Sequence, residues 1–244
     1  MKRTFAGPLT VRTLILSLGV VGLGACGGGE SAATNEQTSQ SVPTEMLSEG
    51  GTQPVLPAAE HSIDELGFNQ GSPDAPIKIV EFSDFGCGYC RRFHTEIFPA
   101  LQEKWIDEGV VQWKYVTYVS GMFPNGLPAA FAAECVGEQD EFEPMSKMLY
   151  ERQQDWKSHS DPQSVFEGYA NEVGVDMSAY ASCLSEDRRR SRVRSGILAG
   201  ARLGVRGTPS FIVDGYPLVG AQPLEIWNDI LTARVKELEE AGGP

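Results

Sequence analysis

The sequence predicts an α/β domain in which a βαβ unit and a closing ββα unit enclose a block of helices. Three observations carry this. An apolar, β-rich run, Ile77 to Phe82, leads into Cys87-Gly88-Tyr89-Cys90 at the start of a helical pattern. A second alternating run, Val110 to Val119, follows that helix directly. Near the C-terminus, Phe211-Ile212-Val213 and Pro217-Leu218-Val219 flank an Asp214-Gly215 turn and precede a last helical stretch. Short β-rich runs bounded by turn residues read as strands, and apolar residues at spacings of three and four read as helices.

From about Gly88 to Asp107 the apolar positions Phe93, Ile97, Leu101 and Trp105 fall on one helical face, and Gly109 stops the helix. After the second strand, breaking and capping signals at Gly126-Leu127-Pro128, Asp161-Pro162 and Gly174-Val175-Asp176 divide a long helical region, about 122–203, that closes with a helix from Glu186 to Leu203. The hairpin follows, and the final helix runs from about Pro223 to Glu240. Roughly 180 residues, 61–244, suffice for one well-filled core and need no second. Phe131, Phe142, Phe166 and Trp227 are expected in it.

The chain ahead of this domain has a different character. Residues 1–25 carry Lys2, Arg3 and Arg12, then an apolar run from Leu14 to Leu23, then small residues, the plan of a secretory signal peptide. The run is shorter than the roughly 20 residues needed to span a bilayer. Leu23-Gly24-Ala25-Cys26 resembles the lipobox of bacterial lipoproteins, which implies acylation of Cys26 and a lipid anchor. Residues 26–60 are rich in Gly, Ser, Thr, Gln, Pro and Glu with few aromatics, and are expected to form a flexible tether spanning roughly 30 Å. The whole chain holds 20 basic and 33 acidic residues, a net charge of −13. Removing the leader takes three basic residues and no acidic ones, which leaves −16. A surface this acidic argues against nucleic acid as a partner.

Of the five cysteines, Cys87 and Cys90 stand one helical turn apart after a strand, a setting that favours a redox dithiol over a metal clamp. A zinc site wants four ligands, and His94, on the same helix face as Cys90, is the sole nearby addition, so no metal is expected. At the helix start, Cys87 would meet unpaired backbone N–H groups and the positive end of the helix dipole, which lower a thiol pKa below its free value of about 8.5. Cys87 is therefore expected to be the exposed attacking thiol, and Cys90 the more buried resolving thiol.

The order of elements, the run Ile79-Val80-Glu81-Phe82-Ser83-Asp84-Phe85 leading into the dithiol, Gly207-Thr208-Pro209 before a strand, and the closing hairpin and helix resemble the DsbA-like thiol:disulfide oxidoreductases across about residues 61–240. That resemblance implies a thioredoxin-like fold with an inserted helical block. It implies disulfide exchange with cysteines of exported proteins on the extracytoplasmic side of a membrane, a membrane redox partner that resets the dithiol, and no organic cofactor. Glu81 would sit beneath the dithiol and relay a proton to Cys90, with Lys114 on the next strand as its partner; two exposed polar residues would be the plainer reading. Pro209 would be cis and face the dithiol, with the backbone of Thr208 pairing with the substrate chain. Gly88 and Tyr89 would contact substrate and help set the redox potential. They carry no cation, which hints at a pair less oxidising than DsbA. An oxidase ranks first, with a reductase or isomerase next and a non-catalytic binding lipoprotein as the reading from another class.

The remaining cysteines, Cys135 and Cys183, lie in the helical block. The resemblance implies a structural disulfide between them, with two buried free thiols as the alternative. Such a bond would close a loop of about 49 residues, worth about 4 kcal/mol on chain entropy. Arg188, Arg189, Arg190, Arg192 and Arg194 are expected to form a solvated face pairing with Glu186 and Asp187, or else to touch anionic headgroups. His61 and His159 are given no role.

Overall fold

The computed structural model describes residues 59–242. The leader, most of the tether and Cys26 lie outside the described residues.

A five-stranded mixed sheet has the order β1-β3-β2-β4-β5. Its members are β1 (Phe68–Gln70), β2 (Ile77–Ser83), β3 (Val111–Thr117), β4 (Ser210–Val213) and β5 (Tyr216–Val219). β2 and β3 are parallel, joined by a helical crossover, and the other pairs are antiparallel. β2 is central and flanked on both sides, and all of its residues but Lys78 are buried or half-buried, Glu81 and Ser83 among them. Strand β1 was not anticipated. It has three residues, too few to show a period, and it is held by its pairing with β3. It begins after Gly67, which has φ +66° and packs against the Tyr115 carbonyl so closely that a side chain would not fit.

The crossover is less regular than its periodicity suggests. Two α-helical pieces, α1 (Gly88–Arg92) and α2 (Phe98–Leu101), alternate with π-helical turns at Phe93–Ile97 and Gln102–Ile106. Pro99 accounts for the first of these, because it has no N–H to give and its ring clashes with the carbonyl four residues back, which widens the preceding turn. Phe93, Ile97, Leu101 and Trp105 all face the sheet and are buried there with Ile77, Ile79, Trp113 and Phe211. Helix α9 (Leu224–Glu240) completes this face by inserting Trp227 and Leu231.

The helical block comprises α3 (Gly126–Gly137), α4 (Phe142–Glu151), α5 (Gln153–Trp156), α6 (Pro162–Val173), α7 (Met177–Ser185) and α8 (Asp187–Arg202). Its boundaries follow local chemistry. Asp161 and Asp176 cap α6 and α7 by accepting from the amides of Ser164 and Ala179, and Gly174 ends α6 at φ +95°. Helix α8 crosses the second face of the sheet, where Gly196 approaches the Thr117 carbonyl so closely that an added Cβ would lie 2.5 Å away. Phe142, Phe166 and Trp227 are buried, whereas Phe131 is half-buried under Arg190.

Cys135 and Cys183 are disulfide-bonded, with Cα atoms 5.6 Å apart, and staple α3 to α7. The arginine-rich start of α8 is only in part the solvated face expected: Arg190 and Arg194 are exposed, whereas Arg189 and Arg192 turn inward. Arg189 is buried and ion-paired with Glu138, and Arg192 Nε lies 3.1 Å from the buried Glu134 carboxylate while its Nη1 donates to the Glu65 carbonyl. Helical periodicity turns residues three apart to the same side, and here that side packs on α3, where only a paired charge is tolerated.

Candidate active site

The end of β2 runs through Ser83-Asp84-Phe85-Gly86 into the dithiol. Asp84 shapes that loop. One carboxylate oxygen accepts from the Gly86 amide at 2.9 Å, and the other accepts from the Ser120 amide at 3.0 Å and the Ser120 hydroxyl at 3.3 Å. Burial raises the Asp84 pKa. The Asp84 carbonyl accepts from the Cys87 amide at 3.0 Å. Gln153 on α5 closes the loop from the other side, donating from one amide nitrogen to the carbonyls of Phe85 (2.6 Å) and Cys87 (3.0 Å). Nothing in the sequence marks Gln153, because its partners lie 68 and 66 residues away and it belongs to a four-residue helix.

Cys87 is the N-cap of α1, and Cys90 lies one turn in. Both carry free thiols. Cys87 was expected to be exposed, but its relative exposure is 2%, against 0% for Cys90. The reason is the loop before β4. Thr208–Pro209 is a cis peptide, and the Thr208 carbonyl oxygen sits 3.3 Å from Cys87 Sγ, while Gly88 and Tyr89 stay exposed beside it.

The two thiols are electrostatically unequal. The Cys87 pKa falls to about 6, chiefly because the Cys90 thiol hydrogen-bonds to its sulfur, aided by the amides of Cys90 and Tyr89, and against the opposing effect of burial. Burial together with the neighbouring Cys87 pushes Cys90 well above the ordinary thiol range. At pH 7 a thiol with a pKa near 6 is about nine-tenths thiolate. One sulfur thus loses its proton readily and the other holds it.

Beneath Cys90 lies a buried polar chain. Cys90 is hydrogen-bonded to the Ser83 hydroxyl, Ser83 Oγ accepts from Tyr150 OH at 3.0 Å, and Tyr150 OH lies 2.7 Å from Tyr115 OH. Glu81, two residues before Ser83 on the same face of β2, is fully buried. Its Oε2 accepts from Trp113 Nε1 at 2.9 Å, and its Oε1 lies 2.8 Å from His94 Nε2.

Lys114 is not the partner of Glu81. In the β2–β3 register Lys114 stands beside Val80, whereas Glu81 stands beside Tyr115. Alternation across the strand therefore sends the Lys114 and Glu81 side chains to opposite faces. Lys114 Nζ donates instead to the carbonyls of Asp64 (3.1 Å) and Leu66 (3.0 Å). His94 was weighed only as a metal ligand. It faces Glu81, and among the described residues no group of three or more His, Cys, Asp or Glu side chains is placed to hold a metal ion.

An N-cap thiolate, a buried partner thiol one turn on and a cis-proline loop against them define a thiol:disulfide oxidoreductase. The comparisons agree with that class. The family model described as thioredoxin matches residues 65–233. A Rickettsia bellii protein described as a protein-disulfide oxidoreductase is 28% identical over 184 residues, 73% of this chain and 67% of the relative. A Bacillus anthracis protein described as disulfide bond formation protein D is 30% identical over 152 residues, 59% of this chain and 68% of that protein. The crystal structure of oxidised BdbD from Bacillus subtilis superposes with a TM-score of 0.63 at 23% identity, covering 69% of this chain and 92% of that one, a likeness of fold. The chain belongs to the thioredoxin family, and within it to the thiol:disulfide oxidoreductases.

Proposed function

We propose that the protein is a membrane-tethered disulfide oxidase that passes the Cys87–Cys90 disulfide to cysteine pairs of exported proteins. The observation that carries this reading is the asymmetry of the two thiols, with Cys87 lowered to about 6 and Cys90 raised. A substrate thiolate attacks Cys87 Sγ, the Cys87–Cys90 bond breaks, and Cys90 leaves and takes up a proton. A second substrate thiolate then attacks the mixed disulfide, and Cys87 leaves as a stabilised thiolate. The substrate pair is oxidised by two electrons, and the enzyme dithiol is reduced by the same two.

Cys87 is the sulfur that substrate attacks and, when the reduced pair is reoxidised, the attacking thiolate; Cys90 is the resolving thiol and Glu81 the buried proton relay. The backbone of Thr208 beside Pro209 offers pairing to an extended substrate chain once it gives up its contact with Cys87, with exposed Gly88 and Tyr89 on the rim. The Cys135–Cys183 bond is structural. Cys26 is the lipidation site, which leaves the domain facing the extracytoplasmic side of the cell envelope, where a membrane partner reoxidises it. The Bacillus anthracis relative's description supports the direction, and the leader pattern before Cys26 supports the anchor.

The reduction potential of the Cys87/Cys90 pair, measured by equilibration against glutathione buffers with Cys135 and Cys183 intact, tests the reading. A value between about −120 and −180 mV is expected of an oxidase or isomerase, and one near about −270 mV would make the protein a reductase. Substituting Cys87→Ser should abolish turnover; retained function would point to a binding protein.

A further inference from the structure

Glu81 is sealed from solvent, yet a carboxylate that relays protons must exchange them with water. Its two oxygens have one polar neighbour each. The Trp113 indole N–H is a donor only and does not titrate, whereas an imidazole takes up and releases a proton between about pH 5 and 8. His94 alone of the two also reaches the outside. Its side chain is 9% exposed and lines a cavity of about 320 Å³ whose wall includes Gln70, Thr95, Gln102, Glu143 and Ser146. Its ring stacks on Tyr150 at 4.3 Å between centroids and 6° between planes, which fixes the orientation that points Nε2 at Glu81. The two lysines of this strand pair, Lys78 and Lys114, are on the opposite face of the sheet from Glu81.

We propose that His94 is the positioning residue through which Glu81 exchanges protons with solvent during each turnover. The inference rests on the oxidase reading above, and it holds equally for a reductase with the direction reversed. When a substrate thiolate opens the Cys87–Cys90 bond, Cys90 leaves as a thiolate and takes the proton held at Glu81. Cys90 is hydrogen-bonded to the inner end of the hydroxyl chain Ser83, Tyr150 and Tyr115; Glu81 is not hydrogen-bonded to this chain but stands beside Tyr115, its outer end, in the β2–β3 register, and the proton crosses between those two side chains. His94 then reprotonates Glu81 and is itself recharged from the water-accessible cavity. On reoxidation Cys90 gives its proton back along the same path. No net charge accumulates in the core in either half of the cycle. The groups facing His94 are Glu81 from β2, Tyr115 from β3, and Tyr150, Glu143, Lys147 and Glu151 from α4.

The test uses the full-length protein and reduced glutathione as the thiol probe, following loss of the Cys87–Cys90 disulfide from pH 5 to 9. His94→Gln can keep a hydrogen bond to Glu81 but cannot titrate. It is expected to slow exchange at pH 7 by at least about tenfold and to remove one inflection from the pH profile, with the reduction potential unchanged. In His94→Ala, added imidazole should restore most of the rate through the vacated cavity. Wild-type rate and profile in folded His94→Gln would overturn the proposal. A wild-type protein that does not exchange with glutathione at all would overturn the activity instead. If neither variant folds, nitrogen-15 NMR of the wild-type imidazole decides. A His94 midpoint that differs between the oxidised and reduced forms is expected, and one identical in both overturns the proposal.

Discussion

The sulfur of Cys87 lies 3.3 Å from the carbonyl oxygen of Thr208, a residue 121 positions later in the chain. This contact joins the two halves of the site. The loop before β4 lies against the Cys87 sulfur.

The first prediction concerns the thiolate. Absorbance near 240 nm of the reduced protein should titrate with a midpoint of about 6 and vanish in Cys87→Ser. The sign of the linked stability follows. The folded pKa is depressed from 9.0, so the stabilisation of the reduced form is fully present above pH 9 and is lost as pH falls through about 6. The oxidised form lacks this group. Denaturant midpoints of the two forms should therefore diverge between pH 6 and 9, with the reduced form gaining.

Gln153→Ala should lower stability by about 1–3 kcal/mol, because the buried carbonyls of Phe85 and Cys87 lose their shared donor. Urea unfolding at pH 7 measures this. An unchanged midpoint would mean that the loop finds other donors.

Lys114→Ala should leave glutathione exchange within about twofold of wild type while costing on the order of 1 kcal/mol through the freed carbonyls of Asp64 and Leu66. Stopped-flow exchange kinetics check it. A large rate loss would require a link between Lys114 and the dithiol that the opposite-face geometry does not provide.

Replacing Cys135 and Cys183 together by Ala should cost about 2–5 kcal/mol, since the bond closes a long loop between α3 and α7. The reactivity of Cys87 should be kept. Thermal unfolding and alkylation rates of Cys87, measured on the same sample, separate the two effects.

Much of this was legible in the chain because it depends on near neighbours. The strand into Cys87-Gly88-Tyr89-Cys90, the caps at Asp161 and Asp176 and the inward face Phe93, Ile97, Leu101 and Trp105 follow from local spacing, turn chemistry and helical period. The same holds for the inequality of the two thiols, since an N-cap position and a position one turn in differ whatever surrounds them. Local spacing misjudged Arg189 and Arg192, whose surroundings come from α3, and Cys87, whose cover comes from Thr208.

What the sequence by itself determined, then, was the order of elements, the dithiol and its polarity. Only the tertiary structure decided which side chains meet. The β2–β3 register places Lys114 behind the sheet from Glu81, the crossover brings His94 onto Glu81, and α5 brings Gln153 under the loop. Side-chain alternation makes a one-residue difference in register a change of face. Partners 60 residues apart leave no local trace, because their proximity is set by how whole layers pack.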